Sequence, residues 1–448
     1  LKFGEFISLI QVVYGLLSII IVLMIIKYSK RLSSDLIWIL LIMLFPLIGT
    51  LLYIILSNNM KRSKVLKNIN ENIENGQKYL IQDEFIKKEI DTKNLGQLKY
   101  ISEFARFPVT KNNEINYYSL GDDVYPVMLE ELKKAKKFIF IEYFIINNGT
   151  MWLEILDLLK EKANSGLDVR VLYDDMCSFA MLPCNYPKLL GKFGIKCMQF
   201  NKLSPFAGII MNNRDHRKMM IIDGHTAFSG GINISDEYIN INSKLGVWKD
   251  NGIRIKGEAV WNFTVMFLEM WNSFKKEDND YNKYKYNFTE KYKENGFVVP
   301  YGESPLDDVI TGEDIYLNII NQAKKYVYVY TPYLIIDTDM INSLILAARR
   351  GVDVRIVVPG IPDKKIVYDL TSSYFYTLIK GGVKIYTYTN GFVHSKVFLS
   401  DDEITTVGTI NLDYRSLYLH FECGIYMKDT NVIKDIKKDF EDSFKESH

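Results

Sequence analysis

The chain has 448 residues, enough for two or three domains that each bury a core. Apolar residues make up 48%, charged residues 24%, and the formal net charge is +1, so no long-range field draws the molecule to nucleic acid or to an anionic surface. Any hold on phosphate has to come from local arrangement. Cys177, Cys184, Cys197 and Cys423 form neither a CxxC pair nor a zinc-like spacing with histidine, and are expected as reduced, mostly buried thiols with no metal.

Composition changes after the first sixty residues. Phe6 to Ile26 and Leu36 to Leu56 carry no charged residue, and each is long enough to cross a hydrocarbon core of about 30 Å as a helix. The sequence therefore predicts a two-helix transmembrane hairpin over 1–60, with Pro46 and Gly49 tolerated as a kink in the second span. Lys27, Lys30 and Arg31 occupy the turn, while Lys61, Arg62, Lys64 and Lys67 follow the second span on the side of Lys2. That excess predicts a multi-pass protein of the cell membrane with its catalytic part on the cytoplasmic face. Residues 61–110 form a polar, helix-prone connector, expected to pack on the next domain as an amphipathic helix.

Then an internal repeat begins. AKKFIFIEYFII (135–146) and AKKYVYVYTPYLI (323–335) each read as a helix end followed by an aromatic and β-branched strand. A helical stretch follows each, and then GLDVRVLYDD (166–175) or GVDVRIVVPG (351–360), apolar runs that suit a sheet covered on both faces. A later strand in each half ends in His-x-Lys-x4-Asp. His216, Lys218, Asp223, Gly230 and Asn233 match His394, Lys396, Asp401, Gly408 and Asn411 at one offset of 178 residues. The fold class predicted is α/β: a first half over 111–275, a linker over 276–297 that looks solvated, and a second half over 298–448, related by a pseudo-twofold axis.

The repeated motif nominates His216, Lys218, Asp223, His394, Lys396 and Asp401 as the catalytic set. On a strand, residues two apart share a face, so each imidazole stands beside an ammonium. Bringing the halves together gives Lys218, Lys396, Asn233 and Asn411 as a cradle for a phosphodiester and for the extra charge of its transition state. Two histidines suit double displacement: one attacks phosphorus while the other protonates the departing alkoxide and then deprotonates the incoming alcohol. Neither motif carries a carboxylate cluster for a metal, and no cofactor is implied. Asp223 and Asp401, seven positions from their histidines, are expected to serve structure by bonding the turn that follows the strand.

These residues resemble the phospholipase D superfamily and, within it, the bacterial cardiolipin synthases. The resemblance is carried by the N-terminal apolar hairpin, EYFII (142–146), NNRDHRKMMIIDGHTAFSGGINISDEY (212–238), GVWKD (246–250), TPYLI (331–335), GFVHSKVFLSD (391–401) and GTINLDYRS (408–416). It implies two phospholipase D-like α/β sandwich halves and condensation of two phosphatidylglycerols with release of glycerol. The alternative is a phospholipase D, or a phosphatidyltransferase with a different acceptor alcohol. It implies His216 as nucleophile and His394 as acid/base, each oriented by a downstream carboxylate: Glu422 for His394 and Asp250 for His216. The implied partners are phosphatidylglycerol and membrane lipid, with neither nucleic acid nor an obligate protein partner. His420, in LHFE, stands where such proteins usually carry Asn, which puts the acceptor pocket in question; Tyr333, Phe392 and Tyr414 are candidates to line the lipid site.

Overall fold

The computed structural model describes every residue except 1, 2, 29–31, 63, 179, 202–212, 293–295 and 308, without the side chains of 3–11, 28, 32–35, 55–62, 64 and 177. Lys2, Lys30 and Arg31, and the side chains of Lys61, Arg62, Lys64 and Cys177, thus lie outside the described residues. The chain divides into two compact units, one formed by residues 1–68 and the other starting at residue 69.

In the first unit a helix runs Phe3–Tyr28 and covers the first predicted span. The second predicted span is not continuous. It divides into helices Leu32–Leu44 and Pro46–Arg62, because Pro46 has no N–H to give the preceding turn. Ser18 Oγ reaches the Pro46 carbonyl (3.3 Å) and Thr50 Oγ1 (3.0 Å), and Ile21, Ile25, Ile39 and Ile42 pack as a small core. Val12, Leu16, Ile19, Ile20, Leu23 and Ile37 face outward. Among the described residues no helix is both long and apolar enough to cross a membrane.

In the second unit the connector forms short helices, Glu84–Thr92 and Gly96–Glu103, whose inner faces bury Ile90, Leu98 and Ile101. The α/β body follows. Its strands are β1 (Asn113–Tyr118), β2 (Phe138–Tyr143), β3 (Asp168–Asp174), β4 (Lys196–Phe200), β5 (Lys218–Ile222), β6 (Thr226–Gly230), β7 (Val247–Lys249) and β8 (Gly252–Gly257). The second half supplies β9 (Phe297–Glu303), β10 (Tyr326–Tyr330), β11 (Leu334–Ile335), β12 (Asp353–Pro359), β13 (Lys384–Tyr388), β14 (Gly391–Val393), β15 (Val397–Ser400), β16 (Ile404–Gly408), β17 (Leu412–Asp413) and β18 (Glu422–Lys428).

Among the described residues these strands build two seven-stranded sheets, ordered β1-β8-β6-β5-β2-β3-β4 and β9-β18-β16-β15-β10-β12-β13. The orders correspond strand for strand, so the duplication seen in sequence is a duplication of topology. In each sheet the Ala-Lys-Lys strand is parallel to the Gly-x-Asp-Val-Arg strand and antiparallel to the strand opened by the motif lysine or just after it. Helix Val260–Phe274, mostly apolar and buried almost throughout, packs on β5, β6 and β8 of the first half and β9 of the second. Asn262 Nδ2 fastens it to the carbonyls of Pro108 (3.0 Å) and Pro300 (2.9 Å).

The linker is not solvated as its composition suggested. Asp278, Tyr281 and Tyr284 are buried, and Arg170 of β3 donates to Asp278 (2.5 Å) and to the Tyr284 hydroxyl (2.5 Å) while lying over the rings of Phe140 and Trp271. Its tyrosines alternate with Lys and Asn because one face packs and the other is wet. Cys184 is exposed, Cys197 half-buried and Cys423 buried, all three as free thiols.

Candidate active site

The two halves meet by exchanging short extended segments. β7 pairs in parallel with β14, and Asp215 forms a parallel bridge with Phe421. His216 N–H donates to the Phe421 carbonyl (2.8 Å) and His394 N–H to the Lys249 carbonyl (2.8 Å). Each motif histidine is therefore held by backbone from the opposite half.

This pairing decides which carboxylate serves which histidine. His216 Nδ1 lies 2.7 Å from Glu422 Oε2, and His394 Nδ1 lies 2.6 Å from Asp250 Oδ2. The assignment expected from sequence, Glu422 to His394 and Asp250 to His216, is reversed. The expectation took the carboxylate downstream in the same half; the parallel bridges put the carboxylate of the other half beside each ring. With Nδ1 engaged, Nε2 is the nitrogen that each imidazole keeps available.

The two carboxylates are supported differently. Thr409 and Ser416 hydroxyls both donate to Glu422, which occupies both its oxygens. Asp250 Oδ1 accepts the Asn251 N–H (2.9 Å), and a Cβ on Gly231 would sit 2.0 Å from that oxygen. Gly231 and Thr409 are equivalent positions: one clears space for the carboxylate and the other bonds to it. Burial pushes the Glu422 carboxyl well above its ordinary range and the His216 imidazole well below, since both charges are costly away from water. Burial and then Lys396 push His394 down to about 4, against the pull of Asp250.

Lys218 and Lys396 are almost fully buried, at 0% and 1% exposure. Lys218 Nζ donates to the His216 carbonyl (2.8 Å), and Lys396 Nζ to the His394 carbonyl with His394 Nδ1 2.8 Å away. Burial lowers Lys218 to about 8; burial likewise takes Lys396 to about 7, helped by Lys218, with the nearby carboxylates pulling the other way. Two ammonium groups sharing one dry cleft are destabilised until an anion joins them. Asn233 Nδ2 donates to the Tyr238 hydroxyl (2.7 Å), and Asn411 Oδ1 is buried with no hydrogen-bond partner among the described residues.

Asp223 and Asp401 do not join the cleft. Each sits with φ +57° at the far end of its motif strand. Asp223 accepts the N–H groups of Lys136 (2.8 Å), Lys137 (2.7 Å) and Phe138 (2.9 Å), and Asp401 those of Lys324 (2.7 Å), Lys325 (2.8 Å) and Tyr326 (2.9 Å). They hold the Ala-Lys-Lys entry of β2 and β10 rather than the turn after their own strand.

Aromatic rings wall the cleft, and most were not singled out from sequence. Phe144 (4.6 Å) and His420 (6.0 Å) flank the His216 ring; Tyr238 (5.3 Å), Trp248 (5.8 Å) and Phe392 (5.9 Å) flank His394. Phe144, Tyr238 and Trp248 lie in EYFII, SDEY and GVWKD, where apolar neighbours hide them. Tyr333 bonds Asp363 (2.6 Å) and Tyr414 packs on Tyr418, with no ring contact to either histidine. Among the described residues no group of three or more His, Cys, Asp or Glu has metal-holding geometry.

The family described as "Cardiolipin synthase, PLD-like domain" matches residues 128–271 and 316–444, and one described as "Phospholipase_D-nuclease N-terminal" matches 16–58. Cardiolipin synthase 1 of Staphylococcus aureus is 35% identical over 93% of this chain and 86% of its own length. The cardiolipin synthase of Alkalihalophilus pseudofirmus is 31% identical over 96% and 86%. Phosphatidylserine synthase of Haemophilus influenzae shares the fold, with a TM-score of 0.58 at 14% identity over 79% of this chain and 91% of that one. Twin sheets, two histidines bonded across the interface and relatives matched over almost the whole length agree: the chain belongs to the cardiolipin synthase family of phospholipase D-like proteins.

Proposed function

We propose that this protein makes cardiolipin by transferring a phosphatidyl group from one phosphatidylglycerol to another, with release of glycerol. The observation that carries the reading is the paired site itself: two imidazoles, each with Nδ1 on a buried carboxylate, beside two buried lysines. A phosphodiester is the anion that fits, because its charge favours both ammonium groups and grows in the transition state.

His216, kept neutral by burial, attacks phosphorus through Nε2. The bond from phosphorus to the glycerol oxygen breaks, and His394, as imidazolium, gives that oxygen its proton. The diester's own charge and Asp250 favour this imidazolium once substrate is bound. In the second step His394 takes the proton of the acceptor hydroxyl, whose oxygen attacks phosphorus and breaks the phosphorus–nitrogen bond. One diester is exchanged for another, so no nucleotide is consumed. Glu422 and Asp250 act as positioning residues that hold the tautomers.

The N-terminal apolar segment is proposed to attach the protein to the cell membrane with the α/β body on the cytoplasmic side. Its outward-facing Val12, Leu16, Ile19, Ile20 and Leu23 support this, as does the N-terminal family match. The test is lipid analysis of the full chain in phosphatidylglycerol vesicles. Cardiolipin and free glycerol should appear together, should vanish in His216→Ala and in His394→Ala, and should withstand EDTA. Phosphatidic acid as the only product would replace the synthase with a phospholipase D.

A further inference from the structure

The bridge between Asp215 and Phe421 sets a register: His216 lies opposite Glu422, and one strand step outward Arg214 lies opposite His420. Both are buried, at 3% and 8% exposure. Arg214, His216 and Lys218 share one face of their segment, as His420 and Glu422 share one face of theirs. The His420 ring is centred 6.0 Å from that of His216.

Neither side chain has a task in the reaction above, and each has one buried nitrogen without a hydrogen bond among the described residues. Arg214 Nη1 is buried and makes no hydrogen bond among the described residues; it forms only a loose ion pair with Asp174, whose Oδ1 is 3.6 Å away. The Asp174 oxygens also accept the N–H groups of Met176 (3.1 Å) and Asp215 (3.3 Å). His420 Nδ1 is also buried without a hydrogen bond, and burial with the Arg415 cation keeps the ring neutral, the Leu419 carbonyl being a lesser opposing influence. A buried guanidinium held by one loose ion pair, with a neutral imidazole opposite it, offers donors that an anion would engage.

The second half shows that duplication does not require this pair. At the equivalent register, opposite each other and next to His394, stand Phe392 and Trp248, with rings 4.8 Å apart. One flank of the cleft is apolar and the other is prepared for negative charge.

Condensing two phosphatidylglycerols brings two phosphates into one cleft. The reacting one meets Lys218 and Lys396. The acceptor carries its own, separated from the attacking oxygen by a glycerol, and a buried anion without a partner is costly. Water or free glycerol brings no such charge. We propose that Arg214 and His420 form an anion subsite for the acceptor's own phosphodiester, selecting an anionic phosphatidyl acceptor over an uncharged alcohol. The subsite rests on the reaction proposed above.

The experiment follows two reactions of the full-length protein in phosphatidylglycerol vesicles: condensation to cardiolipin, and exchange of radiolabelled free glycerol into phosphatidylglycerol. Both use the same donor, and only condensation uses an anionic acceptor. Arg214→Gln and His420→Phe should each slow condensation about tenfold or more, the worth of a charge-assisted hydrogen bond, while exchange falls less than about threefold. Arg214→Lys should restore part of the condensation. If exchange and condensation fall together in both variants, or neither falls, the subsite is wrong. A wild-type protein that yields neither product removes the proposed reaction and the subsite with it.

Discussion

Replacing Glu422 with Gln tests the crossed pairing of the site. Glu422 is fully buried and accepts from His216, Thr409 and Ser416, so Gln keeps the shape and loses the charge. When His216 attacks phosphorus its ring becomes cationic, and the carboxylate stabilises that cation where an amide does not. A hydrogen bond to a charged group is worth about 2 kcal/mol against roughly 1 for a neutral one, and Gln also leaves one hydroxyl without an acceptor. The difference of about 1 kcal/mol amounts to roughly fivefold in kcat for cardiolipin formation, while the hydroxyl costs stability in the ground and transition states alike. The crossing itself is read by nitrogen NMR of the imidazoles, practical in a chain with only 5 histidines. Glu422→Gln should shift the ring nitrogens of His216 and leave those of His394, with Asp250→Asn doing the opposite. A Glu422→Gln protein that perturbs His394 instead, or keeps kcat within about threefold of wild type, would refute the pairing.

Asp223→Ala should act on stability rather than chemistry. It removes the acceptor of three N–H groups and puts Ala at φ +57°, a loss of about 3 kcal/mol. Thermal melting should fall by several degrees, with kcat at low temperature changed less than about threefold; a dead but fully stable protein would return Asp223 to the catalytic set. The buried lysines also predict a pH signature. Because burial lowers Lys396 to about 7 and Lys218 to about 8, both lose protons as pH rises through that window. kcat/KM, which reports free enzyme, should therefore decline above it, whereas a bound diester favours the ammonium forms and moves the decline in kcat to higher pH. Identical alkaline limbs for the two constants would contradict the lysine cradle.

Much of the fold and site could be read from the chain. The 178-residue offset carries His216, Lys218 and Asn233 onto His394, Lys396 and Asn411, and the strands bearing them hold the same place in both sheets. Local periodicity suffices here because a strand's side-chain direction depends only on counting residues. The break at Pro46 had its residue in view, but long apolar composition outweighed it. The linker misled for a related reason: alternating Tyr with Lys and Asn describes a half-packed segment as well as a wet one, and only the buried Arg170 beneath it distinguishes them.

The sequence by itself determined the repeated constellation: two imidazoles and two ammonium groups, delivered by a duplicated strand. The tertiary structure alone decided the partnerships. Which carboxylate meets which histidine, and why Arg214 faces His420 while Phe392 faces Trp248, follow from pairing between segments of opposite halves. Residues within one motif are fixed relative to each other by covalent geometry. Residues hundreds of positions apart meet through backbone hydrogen bonds and packing at an interface, and no spacing along the chain encodes that register.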